Sequence, residues 1–155
     1  MLETKTHQID GVTYDITQLE GMLGIEVLGR LVKVFGSAFA ADDPLGSFTR
    51  NLSTDDIKYL CTVFAKTTLH STEANPDARV QLKDSIGFHF AGKYGRMLKW
   101  LWACIDVNYE TFFADLGFTK EVRDQLMTRA KSEMLKPATS PAGSSGASSS
   151  PASVA

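Results

Sequence analysis

Hydrophobic and polar positions alternate from the start of the chain. Thr4-Lys5-Thr6-His7-Gln8-Ile9 and Val12-Thr13-Tyr14-Asp15-Ile16 flank Asp10-Gly11, with Ile9 in one arm and Val12, Tyr14 and Ile16 in the other. Asp-Gly readily takes the two positive φ angles of a type I′ turn, so the pattern predicts a β-hairpin. Two strands alone are only marginally stable, and this ribbon must therefore lie on something else.

The period then changes. Thr17-Gln18-Leu19-Glu20 has the form of a capping box, a hydroxyl followed three residues on by a carboxylate. Behind it Ile25, Leu28, Leu31, Val32, Val34, Phe35, Ala38 and Phe39 recur at three- and four-residue spacing, which predicts a helix with one buried stripe. Gly21, Gly24, Gly29 and Gly36 lower the helix propensity of this segment. Close approach by the hairpin or a neighbouring helix, where a side chain would clash, is one account of them. Asp42-Asp43-Pro44-Leu45-Gly46 breaks the pattern. Ser53-Thr54-Asp55-Asp56 repeats the capping signal and opens a second helix, with Ile57, Leu60, Cys61, Phe64 and Ala65 on one face and an end near Leu69. His70 to Ala78 reads as a polar connection, and Val80 and Leu82, alternating with Gln81 and Lys83, as a short strand.

Phe88 to Phe113 holds the densest apolar run. Phe90, Tyr94, Met97, Leu98, Leu101, Trp102, Ile105 and Tyr109 fall at helical spacing over about five turns, while Phe88, Trp100, Val107 and Phe113 lie off that stripe. Apolar groups nearly all round predict a central helix touched on several sides, or one with a face kept for a partner. Gly117 reads as its stop, and Lys120 to Lys136, with Val122, Leu126, Met127, Met134 and Leu135, as a more polar final helix. The elements add up to an α+β fold, mainly α: an N-terminal β-hairpin packed on a bundle of about four helices.

Composition sharpens the boundary. Every Lys, Arg, Asp and Glu lies within residues 1–136, and Pro137 to Ala155 contains only Pro, Ala, Thr, Ser, Gly and one Val. Such a tract cannot bury enough surface to offset its ordering entropy. Residues 1–136 are therefore expected to form a single globular domain and residues 137–155 a disordered tail. A net charge of -2 argues against nucleic acid as a partner. No run approaches a membrane span, and MLETKTHQID lacks the apolar core of a secretory signal.

Chemistry is sparse. Cys61 and Cys104 belong to no CxxC pair and read as two reduced interior thiols. Gly87 to Gly95 carries three glycines, but their order matches neither the P-loop nor the dinucleotide fingerprint, and Tyr94 stands where a P-loop needs Ser or Thr. His7, His70 and His89 are scattered over a strand, a loop and a helix start, with no zinc spacing. About four helical turns separate His89 from Cys104, too far for an activated dyad. Asp42-Asp43 and Asp55-Asp56 fit turn and N-cap roles. The reading is a non-enzyme with no catalytic, cofactor-binding or metal residues.

What remains is aromatic density: Tyr94, Trp100, Trp102, Tyr109, Phe112 and Phe113 crowd one segment. Some of these must be core, and a surplus suits a surface that grips another protein's amphipathic helix. Helical phase alone does not separate the two groups. All six are taken as candidate partner-binding residues.

The order of features resembles a known family. An "I-D-G-x-x-Y-x-I" hairpin (Ile9, Asp10, Gly11, Tyr14, Ile16) leads into the helix GIEVLGRLVKVFGSAFA. After a polar connection comes "F-A-G-K-x-G-x-x-L-K-W-L" from Phe90 to Leu101, closing on "V-N-Y-x-x-F-F" from Val107 to Phe113. Over most of Ile9 to Gly117 this is similar to the tail assembly chaperones of tailed bacteriophages. The resemblance implies a helper that acts in the host cytoplasm and is absent from the mature virion. It implies a client, the tape measure protein, kept soluble as tail tube subunits polymerise around it. It also implies tail tube protein as a second partner, recruited by a longer form made by ribosomal frameshifting in many members. Slippage is written in nucleotides, which the amino-acid sequence does not carry. Several weak contacts per client and a homo-oligomer are both compatible with the reading. The alternative is a structural subunit of the tail, such as a tube, completion or baseplate-associated protein, with permanent rather than transient contacts.

Overall fold

Asp10 and Gly11 sit at φ 48° and 81°, the left-handed pair that a type I′ turn requires, and the strands on either side pair as the alternation predicts. In the computed structural model β1 spans Thr4–Ile9 and β2 spans Val12–Thr17. The structure describes residues 1–39 and 51–117, with Glu121, Asp124, Gln125, Thr128 and Ser132 beyond them; side chains are described only to residue 36 in the first stretch. The expected break at residues 42–46, most of the final helix Lys120–Lys136 and the tail 137–155 lie outside the described residues.

The hairpin does not stand alone. β3 (Thr68–His70) pairs antiparallel with β2, Tyr14 opposite His70, and β4 (Val80–Gln81) pairs antiparallel with β3. The result is a four-stranded sheet in the order β1-β2-β3-β4. Ile9, Val12, Tyr14, Ile16, Thr68 and His70 are buried on one face. The other face carries a polar ladder across the hairpin: Thr4 with Thr17 at 2.8 Å, Thr6 with Asp15 at 2.6 Å and Gln8 with Thr13 at 2.7 Å.

Four helices complete the described architecture: α1 (Gly21–Phe39), α2 (Thr54–Ala65), a single turn α3 (Ile86–His89) and α4 (Tyr94–Asp115). The mainly helical α+β prediction holds, with the hairpin enlarged into a sheet. α2 opens as the sequence says: the Ser53 hydroxyl accepts from Asp56 N–H, and the Asp56 carboxylate reaches back to the Ser53 backbone. It closes at Ala65 rather than Leu69, because Thr68, Leu69 and His70 are drawn into the sheet.

Three other readings need correction. Thr17 does not cap α1: it ends β2, its N–H bonded to the Thr67 carbonyl, and the first helical bond of α1 runs from Gly24 N–H to Glu20 C=O. The strand continues through Thr17 because that N–H finds a partner in the segment before β3. The long aromatic helix begins at Tyr94, after Gly92 at φ 68° has separated it from α3. The buried stripe of α1 comprises Val27, Leu31, Val34 and Phe35, whereas Ile25 and Val32 face outward.

α4 packs on β1, β2 and α2 and is the centre of the molecule. Trp100, Leu101, Ala103, Cys104, Ile105, Val107, Tyr109 and Phe113 are buried along it, which is why its apolar residues run nearly all round. Polar ties fix the hairpin and the two residues that follow it to α4. At the start, Lys99 Nζ lies 2.7 Å from the Asp10 carboxylate. Further along, Asn108 Oδ1 accepts from Leu19 N–H at 2.7 Å, and Gln18 Nε2 donates to the Val107 carbonyl. Gly117 follows its end as expected, its N–H bonded to the Ala114 carbonyl.

Candidate functional site

The six aromatics chosen from the sequence divide three ways. Trp100 is 0% exposed: its ring packs on Phe90 with centroids 5.2 Å apart, and its Nε1–H donates to Thr68 Oγ1 at 3.4 Å. Tyr109 and Phe113 are buried too, Tyr109 donating to the Gly24 carbonyl at 2.8 Å and Phe113 lying edge-on to Phe35. These three belong to the core rather than the surface: β1, β2 and α2 pack on the helix that bears them, and Gly24 and Phe35 of α1 meet Tyr109 and Phe113. Trp102 and Phe112 are half-buried; Trp102 lines a cleft of about 250 Å³ with His7, Ile9, Lys99, Ala103, Asp106 and Asp124. Tyr94 alone is largely in water, 68% exposed at the start of α4.

Apolar surface lies elsewhere as well. Phe88, on α3, is 91% exposed, so α3 and the first turn of α4 hold two aromatic rings in water. On α1, Met22, Ile25 and Val32 are 77%, 66% and 42% exposed. Gly29 and Gly36 share the same line, and among the described residues a Cβ on either would meet nothing within 4 Å. Among the described residues nothing approaches closely enough to account for either glycine, although helical glycine costs about 0.5–1 kcal/mol relative to Ala. Gly24 differs, with Tyr109 Oη 3.9 Å from where its Cβ would stand.

A charged strip runs beside the apolar one on α1. The Tyr59 hydroxyl donates to Glu26 at 2.6 Å, the Arg30 guanidinium lies over the Tyr59 ring at 3.8 Å, and Arg30 also pairs with Asp56 at 3.7 Å. The Ser53 hydroxyl, with Arg30 and Lys33 adding to it, holds the Asp56 carboxyl below its usual range. Apolar surface rimmed by charge in this way is characteristic of protein-binding sites.

Sequence reasoning missed one polar cluster. His70, placed in a loop by the sequence pattern, is a buried strand residue whose ring lies 4.2 Å, centroid to centroid, from that of His89. His89 Nε2 meets the Tyr14 hydroxyl at 2.6 Å, while His70 Nδ1–H donates to the Ser71 carbonyl at 2.8 Å and its Nε2 faces Ser85 Oγ at 3.3 Å. Burial, reinforced by His70 and Arg96, pushes His89 down to about 4, and burial pushes Tyr14 up to about 12. Both are therefore neutral at pH 7. The alternation at Tyr14 was the only sign in the sequence, since nothing local announces that residues 70 and 89 meet.

The thiols are withdrawn from chemistry: burial raises Cys61 to about 11 and Cys104 well above its ordinary value. Among the described residues no group of three or more His, Cys, Asp or Glu is placed to hold a metal ion, and no helix is long and apolar enough to cross a membrane.

The chemistry this surface offers is apolar and aromatic contact with another protein. Surface of that kind is what a protein-binding module presents. A family model described as phage tail assembly chaperone protein, TAC, matches residues 10–119, and the chain belongs to that family. Its sphere is bacteriophage tail assembly, and its partners are tail proteins. No curated protein and no solved structure matches the chain.

Proposed function

We propose that this chaperone binds the tape measure protein and keeps it soluble while tail tube subunits polymerise around it. The observation that supports the reading is the pair of aromatic rings held in water on α3 and the first turn of α4, Phe88 and Tyr94. A tape measure is long, mostly helical and rich in apolar surface, so it presents no single epitope. Large side chains with few rotors bind such surface with little loss of side-chain entropy, and contacts that are individually weak release when tube subunits compete. Of the six aromatics named from the sequence, Tyr94 is proposed to meet the client with Phe88 beside it. Trp102 and Phe112 contribute their accessible edges.

Co-expression of this chain with the tape measure protein tests the reading. The wild type is expected to move the client into the soluble fraction, and a Phe88→Ser/Tyr94→Ser variant to lose that effect with an unchanged melting temperature. Full solubilisation by the double variant would refute the assignment. We also propose that the protein works in the host cytoplasm and leaves before the virion is complete. Mass spectrometry of purified virions checks this: stoichiometric presence would favour the structural-subunit alternative.

A further inference from the structure

On α1 the exposed apolar residues and the unexplained glycines form one line. Met22, Ile25, Gly29, Val32 and Gly36 succeed each other at spacings of three, four, three and four, and all five are exposed. That spacing is the seam along which two helices wind together. A Cβ on Gly29 or Gly36 would enter open space among the described residues, whose packing gives no reason for either glycine. The charges beside the seam have a direction: Glu26 stands toward the N-terminal end and Lys33 toward the C-terminal end. Tyr59 fixes the Glu26 carboxylate through its hydroxyl.

We propose that this face of α1 pairs antiparallel with the same face of a second copy of this chain. The antiparallel register that sets Ile25 of one copy over Gly36 of the other also sets Val32 over Gly29. Ile25 and Val32 then each meet a gap, and the two-fold axis makes both contacts occur twice. Glu26 of each copy comes beside Lys33 of the other, opposite charges on the positions that flank the seam, and the helix dipoles oppose. A parallel pair would put the two Glu26, and the two Lys33, on opposite sides of the seam, where neither finds an opposite charge. One helix pair is a small interface, so the dimer is weak and depends on concentration.

The pairing goes beyond the client reading and is tested separately from it. Sedimentation velocity from about 1 µM to about 1 mM spans the range in which so small an interface associates. The wild type is expected to shift from monomer to dimer. Glu26→Lys and Lys33→Glu singly should each weaken association about tenfold or more, and the Glu26→Lys/Lys33→Glu double variant should recover most of it. Gly29→Leu adds a helix-favouring side chain in open space, so the monomer keeps its circular dichroism, but the gap is filled and the dimer is lost. A wild type monomeric throughout the range overturns the proposal, as does a double variant no better than either single one, or a Gly29→Leu variant that associates more strongly. The co-expression assay separates the two proposals. A monomeric Gly29→Leu variant that still solubilises the tape measure protein supports the pairing. A monomeric wild type whose Ile25→Asp variant loses the client overturns it and assigns this face to the client. An intact dimer with no effect on the client leaves the pairing standing and refutes the proposed function.

Discussion

Trp100→Ala and Trp102→Ala, two residues apart on α4, should separate core from surface in one experiment. Trp100 is wholly enclosed, with the Phe90 ring tilted against it and its indole N–H on Thr68. Truncation removes a side chain worth about 3–5 kcal/mol when transfer and cavity terms are combined. No orphaned polar group adds to that figure, because the Thr68 hydroxyl keeps its own acceptor, the Phe64 carbonyl at 2.8 Å. A domain of this size has about 5–15 kcal/mol in all, so the variant should melt about 10–15 °C lower and lie close to the edge of folding. Trp102 is half-buried, its ring 5.7 Å from that of Phe35, and its loss should cost about 1–2 kcal/mol. Urea titration followed by circular dichroism, with a common slope, measures both. A Trp100→Ala variant within about 1 kcal/mol of wild type, or a Trp102→Ala variant that loses more, would refute the placement of the core.

Ser53→Ala should remove about 1 kcal/mol by opening the capping box of α2, and NMR titration should find the Asp56 carboxyl moving up toward its usual range. Stability should fall as the pH drops from about 6.5 to about 4. In that window the unfolded chain protonates His89 while the folded chain, with His89 depressed to about 4, does not, so the unfolded state binds more protons. A fully buried ring with that depression would account for about 3 kcal/mol; the partial exposure of His89 reduces the expected loss to about 1–2 kcal/mol, and His89→Gln should flatten the profile in equilibrium unfolding. A thiol reagent such as DTNB should label Cys61 and Cys104 only on the timescale of unfolding, since both are buried with raised pKa values; rapid labelling in native buffer would contradict this.

Local signals were legible where local physics decides. Asp10-Gly11 specified its turn, Ser53 and Asp56 their cap, and Gly117 the end of α4, because each depends on backbone angles or hydrogen bonds within a few residues. Thr17-Gln18-Leu19-Glu20 has the same spelling as the cap at Ser53, yet Thr17 is a strand residue. Its N–H is taken by Thr67, fifty positions away, and no window around Thr17 contains that fact. The phase of α1 was misread at Ile25 and Val32 because apolar residues cover more than one side of that helix, and periodicity does not say which side the sheet and α4 will occupy. The same ambiguity hid Trp100, Tyr109 and Phe113 in the core, and it left the meeting of His70 and His89 out of reach.

The ties between the first twenty residues and α4 also set an order of events during synthesis. Lys99 and Asn108, which grip Asp10 and Leu19, leave the ribosome almost ninety residues after their mates. Until then the hairpin has no α4 to lie on, and Tyr14 and Ile16, both 0% exposed in the finished structure, lack part of the core that encloses them. Contacts this distant along the chain close slowly, and a nascent chain with such side chains uncovered is prone to aggregate. A tail assembly chaperone thus passes through a stage in which its own apolar side chains are exposed.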